Sequence, residues 1–210
     1  MYEATVVVTV VLMLVSAVDY VRRAWIKETT PVLATWILMT TMITLSFSMY
    51  MVSDRKSWTG NIAVVAALLN GWMILIGLVV VNARNGTLSV VFEPVQRASL
   101  AFGVAVVGLW CVTAAPLLAY TLVQVIALIG YAVTVKKLWT LTRSTEPLSF
   151  WVISFIACCS ALYPAWVRMD PFSWIYLARA VPSTLFLSFL IARIKWRMLL
   201  RSIPAMSEPP

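Results

Sequence analysis

Histidine is absent from this 210-residue chain, and acidic residues number only eight. Without histidine there is no Ser–His nucleophile and no imidazole metal ligand. None of the acidic residues falls in the middle of an apolar run, so paired catalytic carboxylates and a carboxylate proton relay are both missing. The three cysteines (Cys111, Cys158 and Cys159) all lie in apolar runs and indicate neither a disulfide framework nor a metal site. A Gly-rich phosphate loop is lacking, and no lysine falls within the last apolar run, which excludes a lysine-bound chromophore there. Charged residues make up only 11% of the chain. These absences point away from an enzyme, and no cofactor or metal is expected.

What is abundant is apolar: 62% of the residues, with a mean hydropathy of +0.93. Such a balance makes lipid the main solvent. Apolar runs fall at about 4–21, 32–52, 61–83, 98–115, 116–135, 148–166 and 172–192. Each approaches the ~20 residues that a helix needs to cross a bilayer, and a helix satisfies its own backbone polar groups there. The fourth and fifth runs meet at Ala114-Ala115-Pro116, where a tight turn separates them; fused, they would far exceed the membrane thickness. The expected fold class is therefore all-α, a polytopic membrane protein of seven transmembrane helices. The first run lacks a basic leader and a small-residue cleavage site, so it is expected to be a retained helix.

Basic residues assign the sides. The loops after runs one, three and five, together with the C-terminal segment, carry twelve, including Arg22, Arg23, Lys27, Arg84, Arg97, Lys136, Lys137, Arg143 and Arg197. The opposite side carries three: Arg55, Lys56 and Arg168. Basic loops stay in the cytoplasm, which places the N-terminus outside and the C-terminus inside the cell (inner) membrane. The formal charge of +8 is thus a topology signal, not a nucleic-acid interface. Trp58, Trp166 and Trp174 fall at the outer boundary and Trp25, Trp139 and Trp196 at the inner one, as interfacial anchors do. The stretch 203–210 is Pro-rich and polar and is expected to be a disordered cytoplasmic tail.

The chain also repeats itself. After the first run come Arg22-Arg23-Ala24-Trp25, Thr29-Thr30-Pro31 and Trp36; after the fifth come Lys136-Lys137-Leu138-Trp139, Ser144-Thr145-Glu146-Pro147 and Trp151. Tyr20 and Tyr131 precede the basic pairs at similar distances. Two triplets of like orientation need one extra crossing between them, which the fourth run supplies. The expected organisation is a first three-helix bundle over 1–83, a loop and linker helix over 84–115, and a second, parallel bundle over 116–202, related by an axis along the membrane normal.

This 3+1+3 plan resembles the SWEET, MtN3 and PQ-loop superfamily, and among its members the small bacterial ones. The Pro-Gln dipeptide of that group is replaced by Thr30-Pro31 and Glu146-Pro147. The resemblance implies a facilitative transporter, working by alternating access as a uniporter on a small, largely uncharged solute such as a sugar or a vitamin-like molecule. Nicotinamide riboside transporters share a similar plan. The same fold also serves non-transporting receptors or assembly subunits, the second function class open to this chain. Expected partners are a small-molecule solute and the lipid bilayer, with a homo-oligomer allowed and nucleic acid excluded.

Polar residues at membrane depth are the candidate site. Asn70 lies near the middle of the third run, followed by Gly71 and Trp72; an amide, a close-approach glycine and a flat indole together suit a neutral polyol or heterocycle. The resemblance implies a substrate-holding asparagine at that place. Packing against a neighbouring helix is the other reading of Asn70. Gln124 lies midway along the fifth run, with Tyr120 one turn before it. Arg179 or Val181 stands opposite Asn70 in the repeat, and Arg179 either faces the central cavity or snorkels to the outer interface. Asn70, Trp72, Gln124 and Arg179 are the expected substrate-binding residues. Pro31, Pro147 and Pro182 are expected hinges, Pro182 because it removes a backbone hydrogen bond inside the last run. Asp19, three and four residues before Arg22 and Arg23, is either an inner gate or a local ion pair.

The topology makes a direct forecast. In a background free of Cys111, Cys158 and Cys159, a cysteine at position 197 should react only with thiol reagents that reach the cytoplasm, and one at position 56 from outside. The opposite labelling pattern would show that the charge bias has been misassigned.

Overall fold

The computed structural model describes residues 1–141 and 146–202. Arg143, Ser144, Thr145 and the stretch 203–210 lie outside the described residues. All regular structure among the described residues is helical: α1 (Tyr2–Trp25), α2 (Leu33–Val52), α3 (Ile62–Arg84), α4 (Pro94–Thr113), α5 (Pro116–Thr140), α6 (Leu148–Ser160), α7 (Leu162–Arg168) and α8 (Pro171–Ser202). Taken together as Leu148–Arg168, α6 and α7 form one span, so seven stretches are long and apolar enough to cross a membrane.

Local chemistry sets the helix limits. Asn61 caps α3, its side-chain oxygen accepting from the Val64 amide at 3.4 Å. A capping box of Glu93 and Gln96 flanks Pro94 at the start of α4, four residues earlier than the apolar run begins. At the other end Ala114 turns left-handed (φ 50°), and Pro116 opens α5 two residues later, which makes the tight turn expected there. The sixth run differs from expectation in being interrupted at Ala161. Pro164 has no N–H for the carbonyl of Ser160, so the ladder skips one rung, while Ala161 bonds back to Ala157 and Ala165 back to Ala161. Direction is kept across the break, because Ala161 retains near-helical angles (φ −73°, ψ −13°). The last helix runs ten residues past its apolar run and carries Arg193, Lys195 and Arg197 on the extension.

The first helix turns small and polar residues inward. On α1 the buried stripe is Thr9, Met13, Ser16, Ala17, Tyr20 and Ala24, while Val7, Val8, Val11, Val15 and Val18 are exposed. Because lipid tails are as apolar as valine, burial alone does not bring such helices together; close packing and interhelical hydrogen bonds do. Helix α3 packs against α1 and α2, and α8 against α5 and α6; α1 meets α6, α2 meets α5, and α4 lies on α5 and α2. Hydroxyls cross the α1–α6 contact, where Thr9 and Ser160 share a 2.7 Å hydrogen bond.

One end of the bundle gathers the chain start, the α2–α3 loop and the α7–α8 junction: Tyr2 donates to the Thr59 carbonyl and Ser173 to that of Gly60. This is the start face. The basic face lies opposite, where Arg84 stacks on Trp25 at 4.3 Å and Arg193 on Trp139 at 4.7 Å. Trp25, Trp58, Trp139, Trp166 and Trp196 are all exposed at the two ends, as anchoring indoles should be.

The closest approach within the bundle is at Gly77, where an added Cβ would lie 2.6 Å from a methyl of Val21. Valine is stiff at χ1, so the clash must be absorbed by α1 and α3 moving apart. Gly77→Ala is expected to destabilise the protein by about 1–3 kcal/mol. Gly108→Ala, with nothing within 4 Å, should be neutral or slightly stabilising. Thermal unfolding of the two variants in detergent checks the contrast; equal behaviour would mean that α1 and α3 are not in close contact.

Candidate functional site

Three deep polar residues share one level. Asn70, Gln124 and Arg179 each stand eight residues into their helices, counting from Ile62, Pro116 and Pro171. All three helices begin at the start face, so the level lies about 12 Å below it at 1.5 Å per residue. A cavity of about 200 Å³ reaches from this level toward the basic face. Its deep end is lined by Met13, Met42, Asn70, Tyr176, Arg179 and Thr184, its mouth by Thr35, Glu93, Gln96 and Glu146.

Asn70 packs against a neighbouring helix and also borders the cavity. Its amide nitrogen donates to the Met13 carbonyl at 2.7 Å and to the Ser16 hydroxyl at 2.8 Å, tying α3 to α1. The residue is 7% exposed, and that exposure is to the cavity. Trp72 lies elsewhere. Residues two apart on a helix point roughly 200° apart, so Trp72 faces outward, 45% exposed, with its indole donating to Thr44. Gly71 allows the approach expected of it, with the Thr40 hydroxyl donating to its carbonyl at 3.2 Å.

Gln124 does not line the cavity but stands behind Arg179. Its oxygen accepts from Arg179 Nε at 2.8 Å, and its nitrogen donates to Ser46 Oγ on α2 at 2.7 Å. With both ends of the amide engaged and 4% exposure, Gln124 is a fixed bracket. Arg179 takes the cavity-facing of its two orientations. Its Cζ lies 4.9 Å from the Tyr176 ring centre and 5.3 Å from that of Tyr131, and both rings line the same cavity.

Rings close the bundle at the start face. Tyr50, Tyr120 and Phe172 are buried, with Phe172 edge-on to Tyr50 at 5.5 Å and to Tyr120 at 5.0 Å. Tyr50 donates to the Ser57 carbonyl, and Asn61 donates to Tyr120. Beneath them Asp170 accepts from the Phe172 amide and the Ser173 hydroxyl at the start of α8. Burial pushes its carboxyl above the usual range, opposed by those two hydrogen bonds.

Aromatic side chains also wall the cavity toward the basic face. Trp36 Nε1 donates to the Tyr20 hydroxyl at 3.0 Å, which in turn donates to Glu146 at 3.2 Å. Tyr20 and Trp36 meet edge-on at 4.9 Å, and Tyr131 and Trp151 at 6.1 Å, so the tyrosines and tryptophans of the sequence repeat pair in the same manner. Asp19 makes the local ion pair, holding Arg23 at 3.0 Å, and also accepts from Ser149 at the start of α6. Pro31 and Pro147 lie just before α2 and α6, and Pro182 lies inside α8, where Thr184 bonds back to the Ala180 carbonyl.

Sequence reasoning did not single out Ser154, Cys158 or Thr184, and it noted Tyr131 and Trp151 only as marks of the repeat. Trp151, Ser154 and Cys158 line the cavity from one face of α6. Their i, i+3, i+7 spacing in an apolar run was the available signal. No family model, curated protein or solved structure matches the chain.

Asn70→Ala removes two buried hydrogen bonds between α3 and α1. At about 0.5–1.5 kcal/mol net for each bond, thermal stability in detergent should fall by about 1–3 kcal/mol. An unchanged midpoint would mean that the amide does not join these helices.

Proposed function

We propose that the chain is a facilitative, alternating-access transporter of a small solute, with its central site at the level of Asn70 and Arg179. The observation that carries this reading is the mid-depth cavity, lined with polar groups as far as the basic face and capped toward the start face by Tyr50, Tyr120 and Phe172. A helix bundle built only for packing or for holding a partner has no reason to keep such a space. The volume equals roughly six to seven waters at ~30 Å³ each, so the solute is small.

The proposed architecture is 3+1+3. Each triplet is ordered with its third helix in the middle, α3 between α1 and α2, and α8 between α5 and α6. The contacts of α1 with α6 and of α2 with α5 then exchange under a two-fold axis along the membrane normal, and α4 sits outside on α5 and α2. The matching Tyr–Trp pairs support the same axis. This is the arrangement of the SWEET and PQ-loop group that the sequence resembles, and rocking of the two triplets would expose the cavity to each side in turn. The basic face is proposed as cytoplasmic, which makes this an inward-facing form. Pro31, Pro147 and Pro182 are the proposed hinges.

Accessibility tests the proposal. In the cysteine-free background, Thr134→Cys on the cavity wall should be labelled by a membrane-impermeant thiol reagent added from the basic face. Ser173→Cys, buried at the level of the ring cluster, should stay protected from the start face. A protected residue 134, or equal labelling of both from both sides, would rule out a cavity with one open end.

A further inference from the structure

We infer that the solute bound in this cavity carries one carboxylate, gripped by the terminal nitrogens of Arg179. The inference rests on the cavity reading above and names the chemical class of its solute.

Arginine offers five N–H donors in a planar fork. At Arg179 the Nε hydrogen goes to Gln124. Of the terminal nitrogens, Nη1 is buried with no hydrogen-bond partner among the described residues. No described carboxylate pairs with the side chain either: the ion pairs among the described residues join Arg23 to Asp19 and Glu28. Tyr131 and Tyr176 present ring faces, and Gln124 presents one carbonyl. These favour a cation, but they do not replace the acceptors that a desolvated guanidinium needs. Gln124, fixed in turn by Ser46, leaves the two terminal nitrogens as the remaining edge of the fork. That edge matches the two oxygens of a carboxylate.

A second group makes the same demand. Trp151 is 8% exposed and lines the cavity, yet its Nε1 has no partner. Tyr131 neighbours both unpartnered groups, its ring 6.1 Å from that of Trp151. An indole N–H donates only and a guanidinium donates only. A sugar hydroxyl can accept here but brings a donor of its own each time, whereas an ionised carboxylate brings acceptors alone to meet the two unpartnered donors. Among the described residues Arg179 is the one cation that lines the cavity, which matches a single negative charge on the solute. The aromatic walls favour an apolar or planar body. The class is a small monocarboxylate, in place of the neutral solute that the resemblance implies.

Benzoate is a suitable probe and benzamide its neutral counterpart of nearly equal shape. With the purified full chain in detergent, benzoate should raise the unfolding midpoint and benzamide at equal concentration should not. Arg179→Gln should weaken the benzoate response at least tenfold. Arg179→Lys, which keeps the charge but loses the fork, should fall between the two. Equal stabilisation by the two probes, a missing benzoate response, or a full benzoate response in Arg179→Gln would overturn the assignment. If Arg179→Gln does not fold, the wild-type contrast and Arg179→Lys decide the matter. Benzoate should also slow labelling of Thr134→Cys from the basic face. Labelling that benzoate leaves unchanged removes the carboxylate alone, whereas a residue 134 that is never labelled removes the cavity reading beneath it.

Discussion

A guanidinium in the middle of a membrane protein has to be supplied with acceptors, and much of the interior follows from how Arg179 is supplied. Its Nε is bound by Gln124, whose other end is bound by Ser46, so one chain of hydrogen bonds links α8 to α5 and α5 to α2. At the same level Asn70 links α3 to α1. Five of the helices that surround the cavity are thereby held at a common depth by polar contacts, in a solvent where apolar burial gives helices little reason to associate. Tyrosine rings complete the setting of the charge, and the apolar half of the bundle toward the basic face, with Leu78, Leu187 and Ile191 at its centre, keeps the helices parallel below it.

Most of the architecture was legible in the sequence because lipid imposes simple rules. Run length fixes the number of spans, whereas the repeat marked Tyr20, Trp36, Tyr131 and Trp151 without saying that they would meet in matching pairs. Helix ends were less legible: α8 continues as helix beyond its apolar run because Arg193, Lys195 and Arg197 are good helix formers that hydropathy alone counts as loop. The break at Ala161 depends on a single proline three residues later, inside a run that otherwise looks uniform.

The candidate site was legible in depth but not in direction. Depth follows from counting residues, which put Asn70, Gln124 and Arg179 at one level. Direction follows from helix phase, and phase separates Trp72 from Asn70 although they are near neighbours in the chain. Gln124 illustrates a further limit. Its task is set by Arg179 and Ser46, which come from two other helices, and no local pattern records that. Ser154 and Trp151 were hidden for the opposite reason, since a serine and a tryptophan in an apolar run are ordinary until their shared face is found to border a space.

The contact between α1 and α6 is made of small parts: Thr9 with Ser160 near one end and Asp19 with Ser149 near the other. A hydroxyl turns about a single bond and both gives and accepts a hydrogen bond, so water can take the place of either partner with little loss. A joint of this kind has no single register to defend. Gly77 against Val21 and Asn70 against Met13 are stiff contacts within the first three helices, and the Gln124 bracket ties α5 to α2, whereas the hydroxyl contacts flank the Tyr20–Phe150 ring pair on the line where α1 meets α6. Under mechanical load the molecule would therefore yield along that line first, and each side of it would move as one piece.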